Sequence, residues 1–434
     1  MLTKDERSVL HWTIGQQILL QAGETITDKV LFDAVEHQNQ GYDTASDADK
    51  RALIELNVDA SRKAKQSAAF SVAHSCLIHA RDILQAINAH FSTELSVTVD
   101  LELAQACYLV SDFDSAKALY ADLRSRPIST EDKLNLYNIQ AKQYHHQGAY
   151  QKSLEYEYEA LDLLGIRLPL DDESLLELFA AEQAKIEQLV KQKDHDRLYH
   201  QKDIQDANFN LTHELLFDAF TDGYLLGKGP LLAAVAAISA RISMEQGNCP
   251  ASSAGYINYA TVLCSSGQYR TGHAIGKLAI RLADKYQNPV FKNYTYHVFS
   301  LGINHWLEPL KSSYDYLYEA SKLSVESGSP YAGWVFLQLP HVLLGSGASL
   351  TSVAAQAKAS LNYLTSNHLG DIRQLLQLIV LQPVRYLKGE TADFLSLDSD
   401  GFSTSQLIGE YEEAPFFMGI SFTPCSEPHY WPET

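Results

Sequence analysis

Three groups of residues have types and spacings that phosphate binding, metal binding or ligand recognition would use. The first is Gly223-Tyr-Leu-Leu-Gly227-Lys228-Gly229, the nearest approach to a phosphate-cradling loop. A phosphate loop of the Walker type needs one more residue between its glycines, a Ser or Thr after the lysine and a strand in front. Here Gly229 stands where the magnesium-binding hydroxyl belongs, so the segment reads as a turn between two helices. The second group is the histidines, 16 in all. His74 and His79 are five apart, as are His195 and His200, and His145 is adjacent to His146. None has the i, i+4 placement that puts two imidazoles on one helical face, so packing and surface roles are expected and no metal site is. The third group is Asn135, Asn138, Lys142 and His145, spaced 3, 4 and 3 so that they share one stripe of a helix. Amide and ammonium donors in such a stripe suit peptide backbone and a carboxylate. These four residues are the candidate ligand-binding set, read against a plain solvated helix face.

Nucleophilic and acid-base chemistry has less support. There is no G-x-S-x-G elbow, and scattered Ser, His and Asp residues need a fold to bring them together. Carboxylate pairs such as Glu412-Glu413 lie in an irregular segment, where a solvated face is expected. No catalytic residue and no cofactor is expected. The five cysteines are widely spaced with no C-x-x-C pair, which suggests neither a disulfide framework nor a zinc module and fits a reducing, cytoplasmic setting. A net charge of −19 argues against general nucleic-acid binding and against docking on anionic lipid. No apolar run approaches the length of a membrane span, and the N-terminus, MLTKDERSVLHW, is charged where a signal peptide turns apolar.

The elements that must position these residues are helices. Ala, Leu and Gln dominate over Val and Ile in a chain of 434 residues that is 46% apolar. In Asn135 to Leu164, Ala141, Tyr144, Gly148, Tyr150 and Ala160 have the spacing of two antiparallel helices, with small residues at the crossing and a glycine at the turn. Related hairpins recur at about 40-residue intervals, the mark of a stacked solenoid. One contains Phe113, Ala116 and Tyr120, with Ser111-Asp112 at the turn in place of glycine. Another contains Ala260, Gly267, Tyr269, Gly272 and Ala279, with glycine where the helices cross most closely. Weaker ones run through Leu310, Ser313, Leu317 and Ala320, and through Leu350, Val353, Ala357 and Leu361. Between them, 171–193, 203–226 and 230–246 read as longer helices, and the alanine-rich last of these should be buried on more than one side.

The fold class expected is all-α, a tetratricopeptide-like superhelix of helical hairpins. Residues 1–50 should form short N-terminal helices, with Val9, Leu10, Ile14, Ile18 and Leu19 as an apolar set and Gly41 opening a turn. Residues 51–388 should hold the repeats, and 389–434 an irregular cap or linker. That last segment has nine acidic residues, no Lys or Arg, and the aromatics Phe394, Phe402, Tyr411, Phe416, Phe417, Phe422, Tyr430 and Trp431.

The stretch HWTIGQQILL followed by LFDAVEHQNQG resembles a segment that follows the nucleotide-binding part of large bacterial signalling ATPases. LIELNVDASRKAKQSAAFSVAHSCLIHARDIL, Leu53 to Leu84, resembles the helical-repeat region of multidomain bacterial signalling proteins. Those polypeptides join a serine-threonine kinase-like or regulatory module, a STAND-type ATPase, the repeat array and a sensor histidine kinase or cyclase output. The resemblance covers residues 6 to about 365. It implies a cytoplasmic, non-catalytic sensory or interaction scaffold whose partners are a protein, a peptide or attached ATPase, kinase or cyclase modules. The ATPase and kinase motifs themselves are absent from this chain, so no enzymatic activity carries over. Two alternatives stand beside it: an enzyme with a pocket in the irregular middle block, and a structural protein that stacks on copies of itself.

Overall fold

The computed structural model describes residues 2–23, 25–87, 93–327, 331–391, 396–399 and 401–411. These form helices and connecting turns, and the only ladder-type pairings among them are two isolated bridges, Asp203 with Asn248 and Ser399 with Phe402. The chain divides into two compact units, Met1–Gly165 and Ile166–Thr434.

The first unit is four helical hairpins: α1 (Lys4–Ala22) with α2 (Asp28–Gly41), α3 (Asp47–Gln66) with α4 (Phe70–Ala86), α5 (Thr93–Leu109) with α6 (Phe113–Ser125), and α7 (Thr130–His146) with α8 (Tyr150–Leu163). Capping boxes start α1 and α7, where Thr3 with Glu6 and Ser129 with Asp132 satisfy two orphan amides reciprocally. Three of the hairpins turn through the same backbone device. One residue adopts the left-handed conformation, Ala68, Ser111 or Gly148, at φ of 55°, 65° and 71°. The next amide then donates to a carbonyl in the last turn of the preceding helix: Ala69 to Ala64 and Asp112 to Cys107 at 2.8 Å, Ala149 to Tyr144 at 2.9 Å. Positions around this turn are filled alike. Ser61 and Ala73, Ala104 and Ala116, and Ala141 and Ser153 occupy corresponding crossing sites, all buried. The Ser153 hydroxyl donates to the Ala141 carbonyl at 2.9 Å, so serine fits a small-residue site by bonding the facing helix.

A side chain at left-handed φ is strained where glycine is not. Ser111→Gly should therefore stabilise the first unit by about 0.5–1 kcal/mol, while Gly148→Ala should cost a similar amount. Urea unfolding midpoints read both; equal shifts of one sign would refute the expectation.

The second unit begins with α9 (Asp172–Gln192), α10 (His195–Tyr199), α11 (Ala207–Leu225) and α12 (Gly229–Gln246). Helix α12 packs on α9 and α11, and its continuous buried run Ala234 to Ala240 shows that more than one side is covered. Hairpins follow as α13 (Ser252–Ser265) with α14 (Tyr269–Tyr286), α15 (Pro289–Gly302) with α16 (Ser313–Ser327), and α17 (Ala332–Gly345) with α18 (Leu350–Ser366). Helix α19 (Gly370–Leu376) runs through a π-helical turn, Gln377–Leu381, into α20 (Gln382–Leu387), and α21 (Thr404–Tyr411) comes last. The left-handed turn recurs at Gly227, Gly267, Gly347 and His368. The Gly223–Gly229 segment is thus the α11–α12 turn, closed by the Lys228 amide on the Gly223 carbonyl at 2.9 Å. At the α13–α14 crossing, a Cβ on Gly272 would lie 2.8 Å from the Ala260 carbonyl oxygen and 2.6 Å from Cys264 Sγ, so the glycine is required by close approach. Stacked hairpins in each unit make the fold an all-α, tetratricopeptide-like solenoid.

One local expectation changes in part. Of the apolar set on α1, Val9 and Leu10 are exposed at 52% and 47% while Ile14, Ile18 and Leu19 are half-buried, and the residues α1 buries fully are Ser8 and Gly15. Gly41 ends α2 and opens the short 3-10 turn Tyr42–Thr44 that leads into α3, as expected, and a Cβ on it would meet the Ser8 carbonyl oxygen at 2.4 Å and the Trp12 amide nitrogen at 2.6 Å. Helices α1 and α2 meet backbone to backbone, and that contact lies at the centre of the face α1 buries. Of the aromatic C-terminal segment, Phe402 is half-buried, and Phe394 and 412–434 lie outside the described residues.

Candidate functional site

In the first unit the first helices of three hairpins, α3, α5 and α7, line a cleft of about 770 Å³. Helix α3 contributes Arg62; α5 contributes Glu94, Thr98, Leu101, Glu102 and Gln105; α7 and the loop before it contribute Pro127, Ile128, Ser129, Glu131, Asp132, Asn135, Asn138 and Ile139. The repeated turn explains this set. Counted back from Ser111, the positions matching Asn135, Asn138 and Lys142 on α7 are Thr98, Leu101 and Gln105 on α5; counted back from Ala68, the match to Lys142 on α3 is Arg62. Two of these positions line the cleft on both α5 and α7, and the third lines it on α3 and α5.

The loop wall is held by a buried ion pair. Asp100, 3% exposed, takes Arg126 Nη1 on Oδ2 at 2.8 Å, with Arg81 Nε at 3.5 Å from Oδ1. Arg126 also donates to Ser96 Oγ at 3.2 Å, which pins the α6–α7 loop, and with it Pro127 and Ile128, against α5. Burial pushes the Asp100 carboxyl up, and the Arg126 and Arg81 charges oppose that shift. Across the cleft Glu102 accepts from Arg62 Nε at 2.6 Å and from Lys65 Nζ, and Lys65 also donates to Gln105 Oε1. The cations beside the cleft are therefore engaged by Glu102. No described cation pairs with Glu94 or Glu131, and Asp132 is occupied with its capping box, so the remaining charge is acidic.

Of the four sequence-selected residues, Asn135 and Asn138 line the cleft. Asn135 is exposed, whereas Asn138 is half-buried and its Oδ1 is buried without a hydrogen-bond partner. Lys142 and His145 lie farther along α7 and do not line it. The His145 ring stands edge-on to Tyr150 beside the hairpin turn, centroids 5.6 Å apart. Sequence reasoning missed Arg62, Thr98, Glu102 and Gln105; carrying the α7 stripe onto α5 and α3 through the turn position would have found three of them. In the second unit the matching residues of α13, Ala254, Ile257 and Cys264, are buried and Thr261 is half-buried.

The second unit has a smaller cleft of about 390 Å³ lined by Lys277, Asn304, Glu308, Ser312, Asp315 and Tyr316. It also assembles a serine-histidine group that the sequence leaves scattered. His213 Nδ1 lies 2.9 Å from Ser239 Oγ and its Nε2 3.3 Å from Ser243 Oγ, and Ser243 donates to Ser252 Oγ at 2.8 Å. His213 is 1% exposed and lines neither cleft, so these bonds satisfy buried polar groups at the α11–α12 contact.

No protein-family model matches the chain, and no curated protein matches it. Among solved structures it is similar to a Signal Transduction ATPase with Numerous Domains (STAND) protein with a tetratricopeptide repeat sensor from Pyrococcus horikoshii. That similarity has 11% identity and a TM-score of 0.40, over 86% of this chain and 55% of that one. The chain spans little more than half of that protein's length. No helix among the described residues is long and apolar enough to cross a membrane.

Proposed function

We propose that the first unit is a non-catalytic protein-interaction module whose α3–α5–α7 cleft binds an extended peptide segment carrying Lys or Arg. The observation that carries this reading is the lining itself: amide and hydroxyl groups on the facing first helices α5 and α7, Arg62 of α3 beside them, and acidic groups around them. Asn138, with its unpartnered Oδ1, and Asn135 are placed to hold peptide backbone, as side-chain amides that both donate and accept. Glu94 and Glu131 supply the charge complement for a cationic side chain. A place within a signalling polypeptide, as relay or sensor between attached modules, rests on the resemblance of Leu53 to Leu84 and its flanking segments. The reading frame that encodes the chain tests that part: continuation into nucleotide-binding or output modules supports it.

Binding is tested with a peptide array whose members differ in charge, read by fluorescence polarisation. Basic extended peptides should bind best and lose affinity as salt rises. Asn135→Ala together with Asn138→Ala should weaken them about tenfold, the loss of one or two net hydrogen bonds. Lys142→Ala, outside the cleft, is the control. Equal affinity for acidic and basic peptides, or no response to the paired asparagine change, would sink the proposal.

A further inference from the structure

The α3–α6 hairpin pair carries a second constellation, separate from the cleft. His74 of α4, Cys107 near the end of α5 and Asp112 at the N-cap of α6 present an imidazole nitrogen, Sγ and a carboxylate oxygen that all lie within 4.8 Å of one another. In sequence His74 stands five residues from His79, a spacing that pairs no ligands, yet the fold brings it to a thiol and a carboxylate from the next hairpin. Cys107 is 2% exposed, His74 is half-buried and Asp112 is exposed, so the group opens toward solvent on one side.

Two features set this trio apart from ordinary hairpin packing. The turn fixes two of the three ligands: the Asp112 amide donates to the Cys107 carbonyl at 2.8 Å, with Ser111 left-handed between them. The Asp112 carboxylate spends one oxygen on the Ser115 amide at 3.2 Å, which orients the group. Moreover, the other hairpins do not carry these residue types at the same places. Where Cys107 sits they have Ala64, Tyr144 and Leu263, and where Asp112 sits they have Ala69, Ala149 and Gln268. Neither residue is demanded by the repeat.

We propose that His74, Cys107 and Asp112 form a three-ligand site for a zinc-type divalent cation. One thiolate, one imidazole and one carboxylate form a donor set suited to a borderline-soft ion, and three protein ligands on a solvent-facing site leave the fourth position to water. Ligand atoms around one zinc ion lie roughly 3.6 Å apart, so side-chain rotation of about 1 Å closes the trio without moving the helices. Binding displaces the Cys107 proton to solvent and forms the metal–sulfur bond. Arg81 is paired with Asp100, Nε to Oδ1 at 3.5 Å.

Cobalt(II) titration of the full chain, held reduced by a phosphine, tests the assignment. The expected result is a thiolate-to-cobalt charge-transfer band that saturates at one equivalent and is displaced by zinc(II). Cys107→Ser should abolish the band. His74→Gln, at a half-buried position where folding is checked by circular dichroism, should keep the fold and weaken cobalt binding at least about tenfold. Absence of the band in the parent chain, its survival in Cys107→Ser, or unchanged affinity in folded His74→Gln overturns the site.

Discussion

Acidification from pH 7 to about 4.5 should open the second unit while the first remains folded. His213 and His297 are each buried in the second unit, and burial pushes both imidazoles down to about 4 from an ordinary value of 6.5, opposed at His297 by Gln338. Above pH 6.5 both histidines are neutral whether the unit is folded or not, and the full stability is present. As pH falls from 6.5 toward 4, the unfolded chain takes up protons that the folded unit refuses. Stability is then lost at about 1.4 kcal/mol per pH unit per histidine, amounting to about 3 kcal/mol for each. His305 and His341, also pushed down by burial, act in the same direction. In the first unit Asp100 has the opposite sign. Its raised carboxyl is protonated more readily in the folded state, so protonation there favours folding as pH falls through the raised value. Hydrogen exchange read by helix at several pH values distinguishes the units: protection in α11 and α15 should fall first. His213→Gln should flatten the pH dependence by one proton. Equal loss of protection in α3 and α7, or an unchanged slope in the variant, would contradict this account.

Gly41→Ala should be the most damaging methyl addition in the first hairpin. The new Cβ would sit 2.4 Å and 2.6 Å from backbone atoms of Ser8 and Trp12, which cannot rotate away as a side chain could. The helices must separate instead, costing about 2–3 kcal/mol, in the range of core overpacking. Gly148→Ala tests the specificity, because nothing lies within 4 Å of its Cβ and only its left-handed φ of 71° is strained. Its cost should stay near 1 kcal/mol. Urea melts with hydrogen exchange on α1 and α2 rank the two; comparable costs would mean that the contact is not what seats α1.

How much of this could be read from residues depends on whether the constraint is local. The hairpin signature was legible because Ala141, Ser153, Ala260 and Gly272 sit at crossings whose steric demand repeats at fixed distance from each turn. The reach of α9, α11 and α12 was legible for the same reason, since caps and helix-formers act over a few residues. Helix α1 was legible in part: Ile14, Ile18 and Leu19 are half-buried, but Val9 and Leu10 have helical spacing too, and a glycine-lined backbone contact takes the burial and leaves them in solvent. The cleft was half legible. Asn135 and Asn138 stand out on one helix, but their opposite wall on α5 becomes visible only when both turns are placed. The trio of His74, Cys107 and Asp112 draws on three elements, and no spacing rule connects them.

The left-handed turn also bears on how such a chain can change over time. Its information resides in one backbone torsion and one amide-to-carbonyl bond, and Ala68, Ser111 and His368 hold that torsion as Gly148 and Gly267 do. A non-glycine residue at these sites lowers stability slightly and keeps both the torsion and the bond. Residue identity and hairpin geometry are therefore free to drift at different rates, and a lineage of such hairpins can keep its architecture long after its letters have diverged.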